Sequence, residues 1–234
     1  MSILNIAIDG PAGAGKSTIA KSLAEKLSYI YVDTGAMYRA IGYYVYNSNK
    51  ELDFSKPLDE SSLEDLYTYI EAHLDDISIR IEYIDKVQQI ILNNENVSDL
   101  IRSPLMGTMA SIVSANKKVR LYLVYLQQQM AKEEAVVMDG RDIGTHVLPE
   151  SRLKIYLTAS SYVRAKRRYD QLSNKGEISD FDSLKNEIEE RDYRDMNREF
   201  APLKQADDAV LIDSSHMTIE EVVDFIYNLA KKLE

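Results

Sequence analysis

Cysteine is absent from this chain of 234 residues. That rules out disulfides and thiolate metal sites, and it fits a reducing compartment, so a cytoplasmic location is the expectation. Histidine is scarce: His73, His146 and His216 are the three present, too widely spaced to suggest a histidine metal cluster. No apolar run approaches the roughly 20 residues of a membrane span. Met1-Ser2-Ile3-Leu4 offers neither the basic region nor the long apolar region of a secretory signal. Positive charge is in deficit, with 28 Lys and Arg against 38 Asp and Glu and a formal net charge of −10. General binding to nucleic acid or to an acidic membrane is therefore not expected. Any anionic ligand must be held by a local concentration of cations. Internal repeats and low-complexity linkers are also missing, so one domain carrying inserts is expected.

What is present begins at the N-terminus. Hydrophobic residues make up 45% of the chain, enough for a globular core. Ile3 to Ile8 reads as a buried strand, continuous in its apolar residues as parallel strands are, and Asp9 follows it. Gly10-Pro11-Ala12-Gly13-Ala14-Gly15-Lys16-Ser17-Thr18 fits G-x-x-x-x-G-K-[ST], the phosphate-binding loop. Such a loop points successive backbone N–H groups at one anion, and the helix after it adds its positive dipole end. Lys16 then serves the β- and γ-phosphates and the Ser17 hydroxyl a Mg²⁺ ion, with ATP as the co-substrate. Ile19, Leu23, Ala24 and Leu27 recur at helical spacing over Lys16 to Leu27, and a strand follows at Tyr29 to Val32. Strand, loop, helix and strand form a βαβ unit with a parallel sheet.

Further along, Leu52 to Glu60 reads as a loop, and Ser61-Ser62-Leu63-Glu64 as a capping box opening a helix. Ile77, Ile79, Ile81 and Tyr83 alternate with polar residues, Asp85-Lys86 makes a turn, and Val87 to Leu92 returns as a half-exposed antiparallel hairpin. Ser103-Pro104 starts a helix to about Ala115, and Val119 to Ala131 forms another, in which Arg120 reads as surface. Ala135 to Asp139 is a buried strand that delivers an acid to the edge of the sheet where ligands bind, so Asp139 is a candidate for the Mg²⁺ water shell. Leu153 to Thr158 is another strand. Ser161 to Gly176 then carries Arg164, Lys166, Arg167, Arg168 and Lys175 against Asp170 alone. In so acidic a protein that run reads as a mobile lid over ATP phosphates, with Arg164 and Arg168 as contacts, rather than as a solvated basic face. Arg191, Asp195 and Arg198 share one side of a helix over Ile188 to Arg198, a spacing that also suits plain salt bridges. Ala209 to Asp213 and a helix capped at Thr218, with Ile219, Val222, Val223, Ile226, Leu229 and Leu233 inward, close the chain.

Four separated segments resemble bacterial cytidylate (CMP) kinases. They are Asp33-Thr34-Gly35-Ala36-Met37-Tyr38-Arg39, Ser111 to Ala115 with Arg120, Asp139-Gly140-Arg141-Asp142-Ile143-Gly144, and Arg191 to Arg198 with Ala201-Pro202-Leu203. The resemblance spans nearly the whole chain. It implies a three-layer α/β fold of the P-loop NTP hydrolase type, with about five parallel strands, a small antiparallel insert and a helical lid. It implies a core at about 1–50, 117–160 and 177–234, a monophosphate-binding insert at about 51–116 and a lid at about 161–176. The implied reaction moves the ATP γ-phosphoryl group to CMP or dCMP. Lys16, Arg141, Arg191 and Arg198 carry it by this resemblance, and Thr34, Arg39, Ser111, Arg120, Arg141, Asp142, Arg191, Asp195 and Arg198 hold CMP. Within that set Arg39 and Arg141 take the acceptor phosphate, Ser111, Arg120 and Asp142 the cytosine, and Asp195 the ribose. A monomer is expected. Two other readings fit a phosphate loop: a kinase of another small acceptor, and an ATP-binding module without catalysis.

Overall fold

The computed structural model describes residues 3–54, 56–84, 87–174 and 176–233. The turn expected at Asp85-Lys86, the cation Lys175 and the start at Met1-Ser2 lie outside them. The chain clusters into two compact units, Met1–Val32 with Gln128–Glu234, and Asp33–Gln127.

The first unit is built on β1 (Ile6–Asp9), β2 (Ile30–Asp33), β6 (Val136–Gly140), β7 (Leu153–Thr158) and β8 (Val210–Asp213), in the sheet order β2-β6-β1-β7-β8. β1 pairs parallel with both β6 and β7, and β7 pairs parallel with β8. All four β1 residues are buried, which is why the strand reads as a continuous apolar run. It starts later than the sequence suggests: Ile3 is 45% exposed and lies before the first paired residue. Ile8 is in register with Asp139, so β1 and β6 present Asp9 and Asp139 at the same edge of the sheet. The helices of this unit are α1 (Lys16–Leu27), α6 (Ser161–Ser173), α7 (Phe181–Asn197) and α8 (Ile219–Lys231). Ile19, Ala20, Leu23 and Ala24 of α1 join Ile6, Ile8, Ile155, Val222, Val223 and Ile226 in one core cluster. α8 opens with a capping box in which Thr218 and Glu221 each serve the other's backbone N–H. Ile219, expected inward, is 53% exposed, because it is the first residue of the helix, before the buried stripe begins.

α7 starts at Phe181, well before the expected Ile188, with the Asp180 side chain accepting from the Ser183 N–H at 2.8 Å. Its first two turns bury little, so no apolar period marked them.

The second unit contains α2 (Thr34–Ser48), α3 (Glu60–His73), α4 (Pro104–Val113), the start of α5 (Lys117–Glu133), and a sheet of β3 (Ile79–Ile84), β4 (Val87–Leu92) and β5 (Glu95–Asn96). β3 and β4 are antiparallel in the expected register region. The third strand was not expected. It returns through Asn93 and Asn94 at φ 47 and 70, left-handed values that asparagine tolerates and that suit a two-residue hairpin turn. α3 is capped by Asp59, which accepts from Ser62 N–H at 2.8 Å, and the capping box read at Ser61 does not form. An acid just upstream offers the same bond and starts the helix earlier. Ser103 caps α4 with proline following, as expected. Arg120 is a correction: it is 1% exposed, not on the surface. Among the described residues no helix is long and apolar enough to cross a membrane.

Candidate active site

The loop between β1 and α1 leaves the sheet hard against β7. Gly10 has φ +150, and a Cβ there would lie 1.9 Å from the Leu157 carbonyl oxygen, so only glycine fits. α1 has no side-chain cap at its start, which leaves its first N–H groups to an anion. Lys16 is 6% exposed and its Nζ donates to the Pro11 carbonyl at 2.7 Å. Burial and then the neighbouring Arg141 push its ammonium well below the usual lysine range, while Asp139 works the other way. A phosphate at the loop would add to the negative charge that Asp139 already supplies to this lysine.

Ser17 Oγ donates to Asp139 Oδ2 at 2.8 Å, and Tyr31 Oη donates to Asp139 Oδ1 at 3.0 Å. A hydroxyl and a carboxylate side by side are hard oxygen donors of the kind Mg²⁺ takes. Mg²⁺ binds through one or two such groups plus phosphates and water, not through an all-protein cage. Among the described residues no cluster of three or more His, Asp or Glu stands ready to hold a metal. The donor set thus fits a Mg²⁺ that arrives with its nucleotide.

Beside Asp139, Asp9 accepts from the N–H groups of Ile143 and Gly144 at 2.8 and 2.7 Å. Burial pushes its carboxyl up to about 6, against the lowering effect of those two bonds. Asp9 was not among the sequence candidates. Its bonds fix the wide turn at 143–147 that follows Arg141 and Asp142.

The arginine candidates of this unit do come together. Arg141 Nε donates to Asp195 Oδ2 at 2.8 Å, and Arg198 Nη1 lies 3.8 Å from Asp195 Oδ1. Arg198 also reaches Asp142 Oδ1 at 3.4 Å and donates through Nε to the Ala201 carbonyl at 2.6 Å. The local alternative, a turn salt bridge between Arg141 and Asp142, is not what forms, since each pairs with a residue of the 191–198 segment. Burial alone would raise the Asp195 carboxyl, but Arg141, then Arg191 and Arg198, hold it below its usual range. Burial likewise opposes the Arg141 charge and Asp195 more than offsets it. Arg191 is half-buried, and its charge acts on both Lys16 and Asp195.

On α6 the three guanidiniums part company. Arg164 is buried and donates to the Ala12 carbonyl at 2.7 Å. Arg167 donates to the Ser214 carbonyl at 2.7 Å and to the Ala14 carbonyl at 3.4 Å. Arg168 bonds within α6, donating to Gln171 Oε1 at 2.9 Å. Sequence reasoning chose Arg164 and Arg168 and passed over Arg167 and Asp192; helical spacing places side chains on a face without saying what that face meets.

In the second unit Thr34 is buried as the first residue of α2, behind the cap Asp33, and Arg39 Nη1 lies 3.9 Å from Asp33 Oδ2. Ser111 is half-buried on α4. The Arg120 guanidinium donates to the Ser114 carbonyl at 3.3 Å and lies 5.4 Å from the Tyr38 ring centroid.

Comparison with known proteins places these features in context. A family model described as cytidylate kinase matches residues 6–232. A cytidylate kinase of Caldicellulosiruptor saccharolyticus is 50% identical over 234 residues, covering 100% of this chain and 98% of that protein. One from Caldicellulosiruptor bescii is 48% identical over 233 residues, with 100% and 98% covered. Among solved structures, an uncharacterized protein from Eubacterium ventriosum aligns with TM-score 0.51 at 13% identity, covering 99% of each chain, a likeness that concerns the fold alone.

Proposed function

Since the chain belongs to the cytidylate kinase family, we propose that it transfers the γ-phosphoryl group of ATP to CMP or dCMP, yielding ADP and CDP or dCDP. The observation that carries this reading is the convergence of two charge systems in one unit: Lys16 of the phosphate loop feels the charges of Arg141 and Arg191. Donor and acceptor phosphates held side by side call for such a gathering of cations, more than ATP alone requires.

An oxygen of the acceptor phosphate attacks the γ-phosphorus, and the bond from that phosphorus to the ADP oxygen breaks. No protein nucleophile is required, because the acceptor is already an anion. Catalysis is then alignment and charge neutralisation. Gly10 to Thr18 hold the donor phosphates, with Lys16 following charge toward the leaving group. Arg141, Arg191 and Arg198 neutralise the acceptor and the transferring group, and Asp195 accepts from the ribose while keeping two of those arginines aimed. Ser17 and Asp139 would hold Mg²⁺, which neutralises β- and γ-phosphate charge when bound. Arg168 and its neighbours add positive charge on the donor side. Thr34, Arg39, Ser111 and Arg120 are assigned to CMP, with Asp142: a carboxylate accepts the cytosine amino group, whereas uracil presents a carbonyl there. A monomer is the working unit in this reading.

A coupled ADP-release assay with CMP, dCMP, UMP, AMP and GMP in Mg-ATP tests the reading. CMP and dCMP should give the highest kcat/KM. An inert CMP with another active acceptor overturns the substrate, and background rates with all five overturn the activity. Arg141→Ala and Arg191→Ala should each lower kcat by about 10²-fold or more in folded protein.

A further inference from the structure

Ala12, in the middle of the phosphate loop, has both of its backbone polar groups taken by side chains far away in sequence. Its N–H donates to Asp192 Oδ1 at 2.9 Å, and its carbonyl accepts from Arg164 Nη1 at 2.7 Å. The two side chains complete the circuit with an Arg164 Nη1 to Asp192 Oδ2 contact of 2.5 Å. Arg164 Nε is anchored in turn on the Ala159 carbonyl at 2.9 Å, at the end of β7. All three residues are buried, Ala12 at 7% and Arg164 and Asp192 at 6% exposure.

A plain stabilising ion pair does not need this arrangement. The pair grips one residue through the two peptide groups that flank it, and that residue is at the bend that aims the N–H groups following it. The grip comes from α6 and from α7. α7 also carries Arg191 immediately before Asp192 and Asp195 after it, and Arg198 follows at its C-terminal end in extended conformation. We propose that Asp192 and Arg164 are positioning residues for the donor site: they clamp Ala12 at both of its flanking peptide groups so that the loop is already shaped for ATP phosphates. In this assignment Arg164 acts through the loop backbone and not on the nucleotide. Neighbouring residues of α7 thus divide the work, with Asp192 serving the donor side and Arg191 the acceptor side. The division rests on the CMP-phosphorylation reading, whereas the clamp itself concerns ATP alone.

Asp192→Asn separates the possibilities, because the amide oxygen still accepts the Ala12 N–H while the charge facing Arg164 disappears. ATP affinity is measured by calorimetry without acceptor, alongside CMP affinity and melting temperature. Clamping predicts that ATP binding weakens by about tenfold or more while CMP binding stays within about twofold. ATP affinity equal to wild type in folded Asp192→Asn overturns the proposal. So does a matched loss of ATP and CMP affinity. Should that variant fold poorly, Arg164→Met combined with Asp192→Leu replaces the buried pair with apolar groups of similar volume, a change that often preserves or raises stability. If melting temperature recovers and ATP affinity stays low, the clamp stands. If affinity returns together with stability, the pair is structural only and the proposal fails. A wild-type protein that binds ATP but leaves CMP unphosphorylated sinks the kinase reading and leaves the clamp measurable.

Discussion

At the scale of single residues the charged groups beneath the loop set pH behaviour and tolerance to mutation. Asp9 has its carboxyl raised from 3.8 to about 6 by burial. Between those values the native state keeps a proton that the unfolded chain has lost, so this group's contribution to stability falls as pH rises from about 4 to about 6. In full it amounts to on the order of 3 kcal/mol. Asp9→Asn lacks the titration. Urea unfolding at pH 4 to 7 should therefore show wild type losing stability relative to the variant across that window, and a pH-independent difference would count against the assignment. Asp195 works in the opposite sense, because its carboxyl is held low by arginines. Removing it with Asp195→Ala strips Arg141 of its carboxylate and should cost about 3–5 kcal/mol in denaturant unfolding. Neither role was fully legible in sequence. Asp9 looks like the acid that ends a strand, and the two N–H groups it holds arrive from Ile143 and Gly144, more than a hundred residues away.

Elements follow local rules more faithfully, and their predictions concern packing and caps. α2 and α4 approach so closely that a Cβ on Gly42 would lie 2.7 Å from Met109 Cβ. Gly42→Ala should overpack this contact and destabilise by about 1–3 kcal/mol, read as a fall in the urea midpoint. Thr218→Ala removes the half of the α8 capping box in which the Thr218 hydroxyl accepts from the Glu221 N–H. It should cost about 1 kcal/mol while leaving kcat unchanged, since Thr218 is exposed at the start of α8 and bonds within that cap. The helices read from apolar period, α1 above all, run where that period places them. Where the period was silent the reading failed: the first turns of α7 are charged and exposed, and β5 is two residues long.

The whole molecule carries −10 yet is proposed to bind two polyanions. Ligand should therefore act as a large part of its stability. ATP at 100 times its dissociation constant should add about 2.7 kcal/mol, seen as a rise in melting temperature that grows with concentration. Chelation by EDTA should stop phosphoryl transfer and excess Mg²⁺ restore it, the Ser17 and Asp139 oxygens being too few to act without the ion. Turnover that persists in EDTA contradicts the metal assignment.

Sequence by itself determined the phosphate loop, the parallel sheet and the family, because each rests on local spacing: glycines around a turn, apolar runs of strand length, and motifs whose residues are neighbours in the chain. The tertiary structure alone decided which charges meet. Arg141 pairs with Asp195 rather than with adjacent Asp142, Arg164 turns inward to Ala12 and Asp192, and Arg120 is buried. Those outcomes depend on strands and helices brought together from opposite ends of the chain, and on burial, which sets how strongly each buried charge demands a partner. The loop that opens the chain is legible from nine consecutive residues. What holds it in shape is not.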